Sequence, residues 1–302
     1  MRRVGPILPG YQSRSDDGRN RYPASTMTQK KIAAPTLAQR LAVKPGSKVH
    51  LKDWDPNATF GWTKASALSK TEADLARLAS LQERIWAERR HPVLVVLQGI
   101  DAAGKDGTIG HVMTALNPQG APVTGFGVPT STELAHDYLW RAHAAAPRKG
   151  EIGIFNRSYY EDVLVVRVHD LAPRQVWSRR FAQINDFERM LTQEGTTVVK
   201  FFLLIDREEQ RGRLQARYDD PTKRWKFKLG DLDERKLWDS YMTAFEEALG
   251  RCSTASAPWY VIPANRKWFR NLAVSEILAD RLAALKPVYP PSTDLPADLV
   301  VE

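Results

Sequence analysis

The residues that could do chemistry are densest between positions 99 and 108, which read Gly99-Ile100-Asp101-Ala102-Ala103-Gly104-Lys105-Asp106-Gly107-Thr108. The spacing is G-x-x-x-x-G-K. A phosphate-cradling loop needs this pattern: glycines let backbone N–H groups turn inward around phosphate oxygens, a following helix start adds partial positive charge, and the lysine ammonium reaches between terminal phosphates. We therefore expect Gly99, Ala102, Ala103, Gly104, Lys105, Asp106, Gly107 and Thr108 to form a phosphate-binding run. The plain alternative is a glycine turn with a surface lysine. One departure carries information. The Ser or Thr that normally follows the lysine is Asp106, and a second carboxylate, Asp101, sits inside the loop. Carboxylates are hard ligands suited to Mg2+ but repel phosphate when uncompensated, so Asp101 is expected to direct a Mg2+ ion, with a loop-internal hydrogen bond as its alternative.

Two other stretches could converge on this loop. The apolar run at 152–155 should end beside the strand that precedes the loop, delivering Asn156-Arg157-Ser158-Tyr159-Tyr160-Glu161-Asp162. A strand-end Asp usually supports Mg2+ from that place. Asn156 stands there instead, so the charge is expected from Glu161, with Arg157 as a fixed cation for a transferring phosphoryl group. On its own this segment would read as a helix cap with a surface arginine. Residues 207–228 hold eight Lys/Arg against Glu208, Glu209, Asp219 and Asp220. Such a run is commonly a solvated helix face. Its place after a strand aimed at the phosphate loop, and its break at Asp220-Pro221, favour an arginine-rich lid over about 207–230, with Arg211, Arg217, Lys223 and Lys226 pointing inward.

These segments need a scaffold, and the rest of the sequence predicts one. Short apolar runs at 92–98, 121–126, 151–155, 196–205 and 259–263 read as strands, the first as one buried on both faces. Between them, helical patterns cover about 69–90, 105–116, 130–146, 173–194, 231–249 and 267–285. The first is opened by a Ser69-x-x-Glu72 capping box and the third by Thr130-x-x-Glu133, while Gly195 and Gly250 mark expected stops. This alternation predicts an α/β fold, a three-layer sandwich around a parallel five-stranded sheet, in one domain.

Composition sets the outer limits. The 302 residues are 43% apolar and carry a formal charge of +9, which taken whole points to a polyanionic partner. That charge is uneven. Residues 1–50 hold ten Lys/Arg against Asp16 and Asp17, and the remainder holds 34 basic and 33 acidic groups. We expect a basic flexible extension over 1–44, a catalytic domain over 45–287 and a Pro-rich tail over 288–302. Met27 opens a plausible start, so residues 1–26 are expected to be an upstream extension. Cys252 is the single cysteine, which fits a reducing, cytoplasmic setting and excludes an internal disulfide. No run is long enough to span a membrane, and no apolar stretch follows the N-terminal Arg pair as a secretory signal requires.

The motifs GIDAAGKDGTIGHV, ALNPQG, ELAHDYLWR, IFNRSYYEDVLVVRVH, INDFERML, DPTKRWKF and APWYVIPANRKWFRNLAV, in this order, resemble the polyphosphate kinase type 2 family over about residues 45–287. The resemblance implies a P-loop kinase fold similar to thymidylate kinase with a helical lid. It also implies Mg2+-dependent phosphoryl transfer between inorganic polyphosphate and nucleoside mono- or diphosphates. Asp101, Lys105, Asn156, Arg157 and Glu161 would be catalytic, with Asp101 and Glu161 directing the metal. Asn rather than Asp at 156 resembles the subgroup acting on both AMP and ADP. Two positions depart from the family pattern: Asp206 where Ser is expected, and Asn265 where Asp is common. His136 and His169 fall inside these motifs and are read as structural. The resemblance further implies a dimer or tetramer with no nucleic-acid or membrane partner. The rivals are an ATP-dependent nucleoside monophosphate kinase on the same fold and a non-catalytic polyanion binder acting through the basic extension.

Overall fold

A computed structural model of the chain describes residues 34–292 and 299–300. The apolar runs form five parallel strands, β1 (Val93–Gln98), β2 (Val123–Gly125), β3 (Ile152–Asn156), β4 (Thr197–Leu204) and β5 (Trp259–Pro263), in the order β2-β3-β1-β4-β5. The helices are α1 (Leu37–Leu41), α2 (Lys64–Glu88), α3 (Lys105–Ile109), α4 (Ser131–Leu134), α5 (Trp140–Ala144), α6 (Val165–Val168), α7 (Arg174–Gln193), α8 (Arg207–Asp219), α9 (Gly230–Lys236), α10 (Trp238–Cys252) and α11 (Lys267–Ala283). β1 is buried at every position and lies between β3 and β4, which is why it reads as an unbroken Val/Leu run.

Side-chain alternation along β4 assigns the layers. Lys200 meets Glu188 of α7 and Phe202 meets Phe245 of α10, so these residues face one helix layer. Phe201, on the opposite face, meets Tyr260, while α2 and α11 pack together as the other layer. The β1–β3 register sets Leu97 opposite Asn156. Both strands therefore end at the same height, and the loop after β1 must lie against the residues after β3.

Several boundaries differ from the sequence expectation, each for a local reason. α2 begins earlier than Ser69: Thr63 caps it by accepting from Ser66 N, which places Ser69 and Glu72 inside the helix. The helix expected over 105–116 stops at Ile109 and resumes as a 3-10 turn at Met113–Ala115, because Gly107 and Gly110 weaken it. The Thr130 capping box forms as expected, but it opens only α4. Asp137 Oδ1 then accepts from Leu139 N, turning the chain before α5. The helix over 231–249 is two, α9 and α10. Gly250 does not stop α10; it admits the Ser47 carbonyl, which would stand 2.8 Å from an added Cβ.

The boundary expected at residue 44 also moves. Thr36 caps α1 with a full capping box, Leu37, Leu41 and Val43 are buried, and Val43 N donates to Trp259 O at 2.9 Å. Residues 35–44 therefore belong to the folded body, which separates from the preceding chain after Ala34. The proposed upstream extension over 1–26 lies outside the described residues, as does most of the Pro-rich tail. The start of that tail runs along α2, where Tyr289 OH donates to Glu83 at 2.9 Å.

Candidate active site

The loop between β1 and α3 is shaped by two glycines. An added Cβ on Gly99 would stand 2.9 Å from both the Leu203 carbonyl and the Ala103 methyl, and Gly104, at φ +109°, would drive one into the Arg270 guanidinium. Asp101, Ala102, Gly104, Lys105, Asp106 and Gly107 line a cleft of about 1180 Å3. Gly99, Ala103 and Thr108, expected on the phosphate-binding run, do not line it. They build the loop instead: Ala103 is buried and the Thr108 hydroxyl donates to Gly104 O at 3.1 Å. α3 has only five residues, so its dipole is short and the loop amides and nearby cations must carry most of the attraction for an anion.

Lys105 is buried, and its ammonium donates to the Gly99 carbonyl at 2.7 Å and to that of Ile100 at 3.3 Å. Burial, and next the Arg157 charge, lower its pKa, while Asp101, Glu161 and Asp106 act in the opposite sense. Arg157 takes a left-handed backbone conformation at φ +62°, its N–H donating to Leu97 O, and its guanidinium donates to Asp101 Oδ1 at 2.7 Å. This twist costs about 1 kcal/mol for a non-glycine residue and turns the side chain back over the loop. Asn156 Nδ2 donates to Asp106 Oδ1 at 2.8 Å. Asp101, Lys105, Asp106, Asn156 and Arg157 thus converge. Glu161 does not line the cleft but is close enough for Arg157 and Lys105 to oppose the upward shift that burial imposes on its carboxyl.

The residues expected to point inward from the lid segment divide. Arg217, Lys223 and Lys226 line the cleft, and Arg211 does not. Arg211 pairs with Glu208 at 2.9 Å on the exposed side of α8. The inward stripe is Arg213 and Arg217, one helical turn apart, and Arg211 is displaced from Arg213 by two residues, roughly 200° around the axis. Four cleft-lining cations escaped the sequence reading: Arg213, Lys228, Lys267 and Arg270. Arg213 donates to the carbonyls of Ala102, Ala103, Ala264 and Asn265, clamping α8 to the loop. Arg270 donates to Gly104 O at 3.2 Å, and burial, then Arg213, lower its pKa to about 10. Lys267 lines the cleft beside it. The signal that could have found the last two is the cluster Arg266-Lys267-Trp268-Phe269-Arg270 at a helix start directly after a strand. His111, Gly125, Phe126 and Gly127 also line the cleft, and the sequence reading did not name them. In all, nine Lys/Arg and four Asp/Glu line the cleft, a surplus matched to a polyanion.

The two family departures touch each other. Asn265 Nδ2 donates to Asp206 Oδ2 at 2.6 Å, and Asp206 N donates to Asn265 Oδ1 at 3.2 Å. Asp206 also caps α8 by accepting from Glu209 N. The pair ties the base of the lid helix to the residues after β5.

A parallel α/β sheet whose central strand runs into a glycine-lysine loop, beside a cleft lined by arginines and lysines, defines a phosphate-loop phosphotransferase. The chain belongs to the polyphosphate kinase 2 (PPK2) family, whose model matches residues 63–288. It is 53% identical over 266 residues to an AMP/ADP-polyphosphate phosphotransferase of Meiothermus ruber, covering 87% of this chain and all of that one. An ADP-polyphosphate phosphotransferase of Rhodopseudomonas palustris is 42% identical, with 84% and 93% covered. The crystal structure of polyphosphate kinase 2 from Arthrobacter aurescens TC1 superposes with a TM-score of 0.82 at 45% identity, covering 89% of this chain and 94% of that one.

Proposed function

We propose that this protein moves a phosphoryl group reversibly between inorganic polyphosphate and nucleoside mono- and diphosphates, converting AMP to ADP and ADP to ATP. The observation that carries the reading is that Lys105 and Arg157 at the loop line one cleft together with Lys223, Lys226 and Lys228. A phosphate chain would lie among these cations, and the acceptor nucleotide would enter against Phe126 and its flanking glycines. Transfer is direct and in line, because positioning and charge neutralisation supply most of the catalysis of phosphoryl transfer. Lys105 would exchange its carbonyl partners for phosphate oxygens, and Arg157, held by Asp101, would take up charge on the transferring group.

The donor set fits Mg2+. Among the described residues no cluster of three or more metal-ligating side chains forms, but Mg2+ keeps several waters and shares phosphate oxygens, so one or two carboxylates suffice. Asp101 and Glu161 would hold it, with Asp106 beside them. When bound, the ion would neutralise phosphate charge between donor and acceptor. No helix among the described residues is long and apolar enough to cross a membrane. A cytoplasmic enzyme assembled as a dimer or tetramer fits this reading, and light scattering of the purified protein tests the assembly. The donor is tested by supplying AMP or ADP with polyphosphate, or AMP with ATP. Product in the first two reactions supports the proposal; product only with ATP would make the protein an ordinary nucleotide kinase.

A further inference from the structure

Glu161 sits in a 3-10 turn, Tyr159–Asp162, and the residues around it are each fixed from behind. Ser158 caps the turn by accepting from Tyr160 N and receives a hydrogen bond from the buried Gln98 amide at 3.2 Å. Asp162 accepts from Arg180 at 2.8 Å, and Arg180 also reaches the Asp162 carbonyl. Tyr159 and Tyr160 both donate to one carboxylate oxygen of Glu188, at 2.9 and 2.8 Å. The second oxygen of Glu188 accepts from Lys200 at 2.5 Å, and Lys200 also donates to Tyr160 OH and to the Cys252 carbonyl. Glu188 is 1% exposed and Lys200 not at all.

An ion pair this deep is poor value as a stabiliser, since apolar residues of similar size commonly do as well or better. Its geometry gives it another use. Arg180 and Glu188 lie two helical turns apart on one face of α7, and that face meets the 159–162 turn at both ends. A buried carboxylate accepting three directed donors adds fixed positions for both tyrosine hydroxyls to the packing of their rings.

We infer that Glu188 and Lys200, acting through the hydroxyls of Tyr159 and Tyr160, are positioning residues that fix Glu161 relative to Lys105 and Arg157. This inference rests on the phosphoryl-transfer reading for its kinetic consequence and on the fold alone for its structural one. The test replaces the two hydroxyls, leaving the rings, in Tyr159→Phe/Tyr160→Phe, with and without Glu161→Gln. We expect kcat for polyphosphate-dependent ATP formation to fall roughly tenfold or more while KM for ADP stays within about twofold. In the Glu161→Gln background the same substitutions should cost less than about threefold, because the group they position has lost its charge. Hydrogen exchange of the 157–163 segment should quicken in the Tyr→Phe variant while β1 remains protected. Equal losses in both backgrounds, or unchanged exchange in that segment, would overturn the inference and leave the pair a core contact. Should the double variant not fold, Tyr160→Phe alone is read in the same way. If the wild type made no ATP from polyphosphate, the functional reading would fail, and the exchange measurement would still decide whether the network fixes the turn.

Discussion

Asn156 and Asp106 are best understood together. An aspartate at the end of β3 would face the Asp106 carboxylate at the 2.8 Å now spanned by a hydrogen bond, and two like charges at that range cannot both be ionised comfortably. The Asn156 amide instead donates to that carboxylate, so the repulsion is replaced by a hydrogen bond. A second residue-scale consequence concerns Asp162. Burial lifts its carboxyl to about 6, against the opposing charges of Arg180 and Arg141. The folded value lies above the ordinary carboxylate value, so the stability Asp162 contributes is complete below about pH 4 and lost as pH rises through about 6. Urea unfolding of wild type and Asp162→Asn should therefore show a stability difference that shifts against wild type by on the order of 2–3 kcal/mol between about pH 4 and 7.5. A difference independent of pH would show that the carboxyl titrates normally.

At the scale of elements, α8 both braces the loop and carries cations into the cleft. Gln210 and Arg213 hold the carbonyls of Asp101, Ala102 and Ala103, while Arg217 and the lysines beyond Pro221 face the cleft. Lys223→Ala/Lys226→Ala should raise KM for polyphosphate roughly tenfold at low salt with kcat little changed, and the defect should shrink as salt screens the chain. Arg211→Ala should alter neither, since Arg211 faces away. A kcat defect in the lysine variant, or an Arg211 phenotype, would contradict this division of labour. The same helix shows what the sequence could disclose. Its excess of cations was legible, but the inward face was not, because seven of its 13 residues are charged and periodicity cannot rank them. The phosphate loop was legible because chemistry dictates its spacing. Arg270 was not, since an arginine at a helix start looks exposed until packing buries it. The five strands read clearly from their apolar runs, whereas the splitting of 130–146 depended on a single Asx hydrogen bond at Asp137.

For the whole molecule, the formal charge of +9 misdirects attention if taken as a surface property. Residues 51–302 are almost neutral, yet the cleft gathers nine cations in one place, so the attraction for a polyanion is local and directed. The body also begins earlier than the charge distribution implies. Removing residues 35–44 in addition to 1–34 should cost several kcal/mol, because burying Leu37, Leu41 and Val43 is worth about 1.5–3 kcal/mol each. Thermal melting of the two truncations checks this, and equal melting temperatures would show α1 to be dispensable. The central claim is that the loop and cleft transfer phosphate from polyphosphate to a nucleotide. It is tested most directly by mixing the purified protein with Mg2+, ADP and polyphosphate and reading ATP with luciferase, beside Lys105→Ala. The account predicts polyphosphate-dependent ATP from wild type and a rate lower by roughly 10²-fold or more in the variant. No ATP from wild type, or equal rates from the two proteins, would contradict it.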